Sequence, residues 1–240
     1  MVHAGKRIAL FCLGLVVSLP GSLSAQSAPP AGNADLQKVI AELDAAAAKF
    51  SSAQADFTWD QFTAVVQEHE TQTGTIYFER KKGVIRMAAD LKQDNGKDAP
   101  KTVVYDGAEV NFYEPTIKQL TTVKAGANRG QFESFLTLGF GGSGTDLEKN
   151  WKVSLLGIEP MDGVSVAKLD LVPKEQKVLE MFTHVTIWVE PSRGINHKQI
   201  FYQPSGDLRT TTYKNIRYNT PVPADVFQIK PARDTNHIVK

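Results

Sequence analysis

Residues 74–91 read GTIYFERKKGVIRMAADL. A run of Thr, Ile, Tyr and Phe between Gly74 and Arg80 stops at Lys82-Gly83, and a second apolar run goes from Val84 to Leu91. β-branched and aromatic runs of this length, parted by a glycine turn, predict two antiparallel strands. Ile76, Tyr77 and Phe78 are consecutive. Alternate residues of a strand face opposite sides, so this part of the sheet must be covered on both faces.

The same pattern extends in both directions. Upstream, Ala55 to Glu70 reads as a strand in which Phe57 and Trp59 share one parity and Phe62, Ala64 and Val66 the other, a slip that predicts a bulge or a strong bend. Downstream come Thr102 to Asp106, Glu109 to Tyr113 and Ile117 to Val123, divided by Asn-Gly, Asp-Gly and Glu-Pro signals. A second series follows: Trp151 to Ile158, Val164 to Val172, Phe182 to Glu190, Ile195 to Tyr202 and Leu208 to Tyr218, with Ala224 to Ile229 as a further candidate and a polar, loose tail to Lys240. About eleven short strands at hairpin spacing predict a mainly β fold, an antiparallel sheet wound into a barrel or half-barrel. Helices are few and must act as a cover. From Ala34 to Phe50, Leu36, Val39, Ile40, Leu43 and Ala47 recur at helical spacing behind an Asn33 N-cap. Between the two strand series, Phe132, Phe135 and Leu136 sit at helical spacing, glycines run from Gly139 to Gly144, and Thr145 with Glu148 offers a capping box for a short helix.

The N-terminus carries His3, Lys6 and Arg7, an apolar run from Ile8 to Leu19, Pro20-Gly21, and the small-residue stretch to Ala25. That is the layout of a cleavable secretory signal, and its apolar run is shorter than the roughly 20 residues that span a bilayer. Residues 1–25 are read as a signal peptide, 26–33 as a flexible lead and 34–240 as one domain in the periplasm. The one cysteine, Cys12, lies within the signal. The mature chain therefore has no disulfide and no thiol chemistry, and its core alone must stabilise it. Phe11 stands before Cys12 where a lipobox would need a small residue. A net charge of +1, with both signs interspersed, argues against nucleic acid as a partner.

Catalytic patterns are missing. His69, His184, His197 and His237 lie in different predicted elements, with no metal-ligand spacing among them, and neither a nucleophile elbow nor a catalytic cysteine is present. No catalytic residue, metal or cofactor is expected, and the chain is read as a non-enzyme. Gly139 to Gly144 satisfies G-x-G-x-x-G, but a helix rather than a strand precedes it, so it reads as a hinge loop and not as a dinucleotide site. What the chain supplies in quantity is apolar surface. On strands these are Phe57, Trp59, Ile76, Phe78 and Phe112; on the first helix, Leu36 and Ile40; on the glycine-flanked segment, Phe132, Phe135, Leu136 and Phe140. They fill a core, or some of them line a cavity for an acyl chain. At about 0.8 kcal/mol per methylene, a sixteen-carbon chain would gain on the order of 12 kcal/mol, so such a cavity also needs a lid that can open.

The order of pieces resembles the periplasmic outer-membrane lipoprotein carrier family, LolA. The resemblance rests on the N-terminal helix, Ala55-Asp56-Phe57-Thr58, the stretch Gly74 to Arg80, Val104-Tyr105-Asp106-Gly107 leading to Val110-Asn111-Phe112-Tyr113, and the closing stretch Thr220 to Phe227 with Lys230-Pro231. It implies an unclosed antiparallel half-barrel with a helical lid, whose concavity holds the acyl chains of lipoproteins or other lipids. It implies as partners an inner-membrane ABC transporter and an outer-membrane receptor, with the carrier a monomer. It also implies an arginine latch that donates to backbone carbonyls of the lid. The family's arginine is followed by proline, whereas Arg80 is followed by Lys81 and Lys82, so Arg80 or Lys81 is the equivalent. The same fold would also suit a lipid-sensing regulator of an envelope-stress pathway or a general periplasmic lipid-binding protein.

Overall fold

The computed structural model describes residues 31–124, 138 and 140–240; the export signal and Phe132, Phe135 and Leu136 lie outside the described residues. All strands belong to one sheet: β1 (Ser52–Thr63), β2 (Glu68–Lys81), β3 (Val84–Asp94), β4 (Lys97–Tyr105), β5 (Glu109–Glu114), β6 (Gln119–Lys124), β7 (Trp151–Met161), β8 (Val164–Pro173), β9 (His184–Glu190), β10 (Ile195–Tyr202), β11 (Leu208–Tyr218) and β12 (Asn236–Val239). Their spatial order is β12-β6-β5-β4-β3-β2-β1-β11-β10-β9-β8-β7, so two meanders meet where β1 pairs with β11, and β12 and β7 remain as unjoined edges. The half-barrel read from the sequence is this open, twelve-stranded sheet. Three two-residue turns, Lys82-Gly83, Asn95-Gly96 and Asp162-Gly163, have positive φ at both positions, the conformation that matches the twist of flanking strands.

Several elements differ from the reading of the sequence. Ala55 to Glu70 is not one bent strand: β1 ends at Thr63 and a turn leads into β2 at Glu68, while the bulge falls earlier, in the β1 to β11 pairing between Gln54 and Asp56. The parity slip at Phe62 records a side chain on the outer face, against the His69 ring at 4.9 Å. Residues 97–101, polar and holding Pro100, extend β4 beyond the predicted Thr102. Ala224–Phe227 is a 3-10 turn rather than a strand. The tail, expected to be loose, forms β12, which pairs in parallel with β6 from Asn236 opposite Gln119 to Val239 opposite Thr122.

Two helices fill one half of the concave face. Helix α1 (Ala31–Lys49) and the short α2 (Gly144–Asn150) bury Val39, Leu43 and Leu147 against Trp151 of β7, Leu169 and Leu171 of β8, and Val185, Ile187 and Val189 of β9. The cap of α2 is Ser143, whose hydroxyl accepts from the Asp146 amide at 3.0 Å; Thr145, expected as the cap, instead donates to Asp44 of α1. A one-turn helix, α3 (Gln176–Leu179), joins β8 to β9.

The convex face is covered at β2 to β4 by the segment after β11. Phe227 packs with Val222, Val226 and Ile229 on Ala88, Val104 and Tyr77, and the Arg86 guanidinium lies 3.8 Å from the centre of the Phe227 ring. This explains the consecutive apolar residues at 76–78: Ile76 and Phe78 face the concave side, and Tyr77 faces the C-terminal segment.

Gly74 of β2 lies opposite Phe57 of β1. A Cβ at Gly74 would meet the Asp90 carbonyl oxygen at 2.2 Å and Phe57 Cε1 at 2.9 Å, so strand and ring can approach only because the side chain is missing. Gly74→Ala is expected to cost about 1–3 kcal/mol through overpacking, read as a lower denaturant midpoint with unchanged slope.

Candidate functional site

The concave half that the helices leave uncovered, β1 to β5 with β11, encloses a cavity of about 510 Å³. Strand alternation selects its lining. Phe57 and Trp59 of β1, Ile76 of β2, Met87, Ala89 and Leu91 of β3, Val103 of β4, Phe112 of β5, and Thr211 and Tyr213 of β11 line it, with Gln72, Lys101 and Glu114 among the polar residues of the wall. Phe112 is 39% exposed, a large apolar ring held open to the cavity rather than packed away.

One end of the cavity is plugged. Phe140 bridges to Ile195 of β10, stacks on Phe78 with ring centres 4.3 Å apart, and meets Tyr213 edge-on at 4.9 Å. The next residue, Gly141, sits where a Cβ would lie 2.3 Å from the Phe50 ring. Gly144 is similarly tight against the Ile40 backbone. These glycines therefore serve close packing against the end and middle of α1, not a phosphate cradle; Gly139 lies outside the described residues.

Arg80, at the end of β2, reaches across this plug. Its Nη1 donates to the Ala47 carbonyl at 2.6 Å and its Nη2 to the Gly141 carbonyl at 2.6 Å, and the guanidinium stands 5.7 Å from the centre of the Phe50 ring. Ala47 is in the last turn of α1, where carbonyls lack helical partners and the helix dipole favours a cation. A planar guanidinium can serve two separate acceptors at once. Lys81, one residue on, is exposed.

Tyr213 is the polar element of the plug. Its hydroxyl accepts from Gln199 Nε2 at 3.1 Å and contacts Thr211, and Gln199 Oε1 in turn accepts from Asn196 Nδ2 at 3.1 Å. Burial pushes its phenol well above the ordinary range, and the bond with Thr211 offsets only part of that rise.

Of the residues singled out in the sequence, the structure brings Phe57, Trp59, Ile76 and Phe112 together in the cavity wall. Phe78 and Phe140 form the plug beside it, while Leu36 and Ile40 lie on the packed helix away from that wall. Met87, Ala89, Leu91, Val103 and Tyr213 went unmarked, although the odd-numbered alternation of β3 and β4 carries the signal. The histidines do not converge: His69 contacts Asp60 at 2.9 Å, His184 stacks on Tyr202, and His197 lies 3.5 Å from Glu190. No cluster able to hold a metal is found among the described residues. No helix among them is long and apolar enough to cross a membrane.

The model of the family "Outer membrane lipoprotein carrier protein LolA" matches residues 48–230. No curated protein sequence matches the chain. Among solved structures, MucB is similar with a TM-score of 0.53 at 15% identity, over 83% of this chain and 64% of MucB, so the chain spans less than two thirds of that protein. An uncharacterized conserved protein from Thermus thermophilus is similar with a TM-score of 0.54 at 10% identity, over 86% of this chain and 99% of the other. At these identities the likeness is one of fold.

A phenol held neutral in the folded state contributes stability that is intact below about pH 10 and is lost as the pH rises above that value, where the unfolded chain ionises. Urea midpoints are expected to fall more steeply from about pH 9 to about pH 11 in the native protein than in Tyr213→Phe.

Proposed function

Because this chain belongs to the LolA family of outer membrane lipoprotein carrier proteins, we propose that it is a periplasmic carrier, which shields a lipoprotein's acyl chain in the concavity of β1 to β5 and β11 and ferries it from the inner towards the outer membrane. The observation that carries the reading is an apolar wall that, among the described residues, faces open space. Interiors are normally filled to crystal-like density, so Trp59, Leu91 and Phe112, each partly or fully exposed along this wall, call for a guest. A cavity of about 510 Å³ lies within the roughly 300–1,000 Å³ of sites that bury a small apolar ligand, room for an acyl chain.

In this reading Arg80 is the latch. Its two bonds hold the end of α1 and the Phe140-Gly141 plug to β2 while the cavity is empty. Loading would separate plug and sheet and release them. Chemistry on the cargo has no part in the cycle. An inner-membrane ABC transporter would hand over the cargo and an outer-membrane receptor would accept it.

Two measurements test this reading. Fluorescent fatty acid is expected to bind the purified mature chain, and Leu91→Trp, which fills the wall, should weaken binding about tenfold or more without lowering the thermal midpoint by more than a few degrees. Failure of the native chain to take up the probe, or any lipid in native mass spectrometry, would sink the carrier function. Arg80→Leu removes both bonds to carbonyls and is expected to cost about 1.5–3 kcal/mol of stability per charged bond at most, while speeding probe uptake. Slower or unchanged uptake would show that Arg80 is structural and not a latch.

A further inference from the structure

The cavity wall ends, away from the plug, at a rim of turns. Register places them together: Thr63 pairs with Glu68 across the β1 to β2 turn, Glu114 with Gln119 across the β5 to β6 turn, and Phe62 with Leu208 beside the β10 to β11 turn. The Thr183 amide donates to the Tyr202 carbonyl at 2.8 Å, which puts the loop after α3 at the same end. Gln72, Leu91, Lys101 and Glu114 are the wall residues nearest this rim.

Four of the eight exposed large apolar side chains among the described residues stand there; of the others, Phe112 lines the cavity and Leu156, Ile158 and Val239 lie on the edge strands β7 and β12. Val65 is 88% exposed and Val66 57%, both on the β1 to β2 turn; Ile117 is 60% exposed on the β5 to β6 turn, and Met181 is 49% exposed on the loop before β9. The opposite end, around the Arg80 latch, has turns made of Lys82-Gly83, Asp106-Gly107, Asp162-Gly163 and Pro191 to Gly194. None of those carries an exposed large apolar side chain among the described residues. Such side chains in water are unfavourable unless something covers them; Leu156, Ile158 and Val239 sit on the edge strands β7 and β12, whereas those carried on turns and loops stand at the cavity's open end, which ties their cover to the cargo's route.

We propose that this rim docks on a lipid bilayer, with Val65, Val66, Ile117 and Met181 immersed shallowly among headgroups and upper acyl segments, so that the open end of the cavity faces the membrane. The residue types favour a bilayer over a protein partner. Protein interfaces concentrate aromatic and arginine anchors in one packed patch, whereas the tips here are three β-branched aliphatics and a methionine spread over three separate turns, suited to a fluid that closes around each. Both charge signs border them, Glu68, Asp94 and Asp207 beside Lys92, Lys97 and Lys118. Attachment therefore depends on burial of apolar surface and little on anionic lipid or salt.

The carrier reading supplies the purpose of this docking, but the test does not depend on it. The mature chain is floated with vesicles of pure phosphatidylcholine and with vesicles of phosphatidylethanolamine and phosphatidylglycerol, at low and high salt. Native protein is expected to float with both, at either salt, and Val65→Ser/Val66→Ser/Ile117→Ser to float about tenfold less while keeping its thermal midpoint and its uptake of fluorescent fatty acid. Val65→Ser/Val66→Ser alone, should the triple variant fold poorly, is expected to lose at least threefold. Native protein that floats with neither vesicle, variants that float as well as native, or attachment only to native inner-membrane vesicles that still carry their proteins would each overturn the proposal. Loss of fatty-acid uptake with flotation intact would count against the carrier reading alone.

Discussion

A single sheet of twelve strands that does not close has far more inner face than the helices among the described residues cover. The rest of the molecule follows from that imbalance. Helix α1, 19 residues long, and the one short helix that packs with it shield β7 to β9 and stop there. On the convex side, at β2 to β4, the chain uses its own last stretch, Val222 to Ile229, to cover Tyr77, Ala88 and Val104. The concave surface of β1 to β5 remains, and among the described residues its side chains line an apolar open space. The cavity is thus the part of a curved sheet that the described helices do not reach.

The boundary between filled and unfilled halves is narrow and built from few residues. Phe140 inserts between Phe78 and Tyr213, and the polar atoms around it are satisfied by neighbours, Gln199 for the Tyr213 hydroxyl and Arg80 for the carbonyls of Ala47 and Gly141. Rings fill space here, while charge-assisted hydrogen bonds fix position. Each kind of contact would be weaker alone: stacked rings can slide, and a guanidinium without a dry neighbour such as Phe50 would be screened by water.

How much of this was legible in the sequence varies with how local the cause is. The hairpins at Lys82-Gly83 and Asp162-Gly163 were plain, because turn chemistry and alternation are properties of adjacent residues. β12 was not: Asn236 to Val239 is four residues long, and its pairing is set by β6 more than a hundred residues earlier. The same holds for the cavity wall. Phe57, Trp59, Ile76 and Phe112 stood out by size, but Ala89 and Leu91 belong to it only because their strand lies between β2 and β4. Size marked Phe78 and Phe140 equally, and nothing local tells a plug from a wall.

The acceptors of Arg80 are both main-chain oxygens, in Ala47 and Gly141. A side-chain partner can be deleted by one codon change; a peptide carbonyl cannot. The helix end is therefore free to drift in sequence over generations, with almost any small residue at position 47, and still offer the same oxygen. The sensitivity of this joint to substitution is concentrated on the arginine and on the glycine that clears Phe50, which makes the contact robust on one side and brittle on the other.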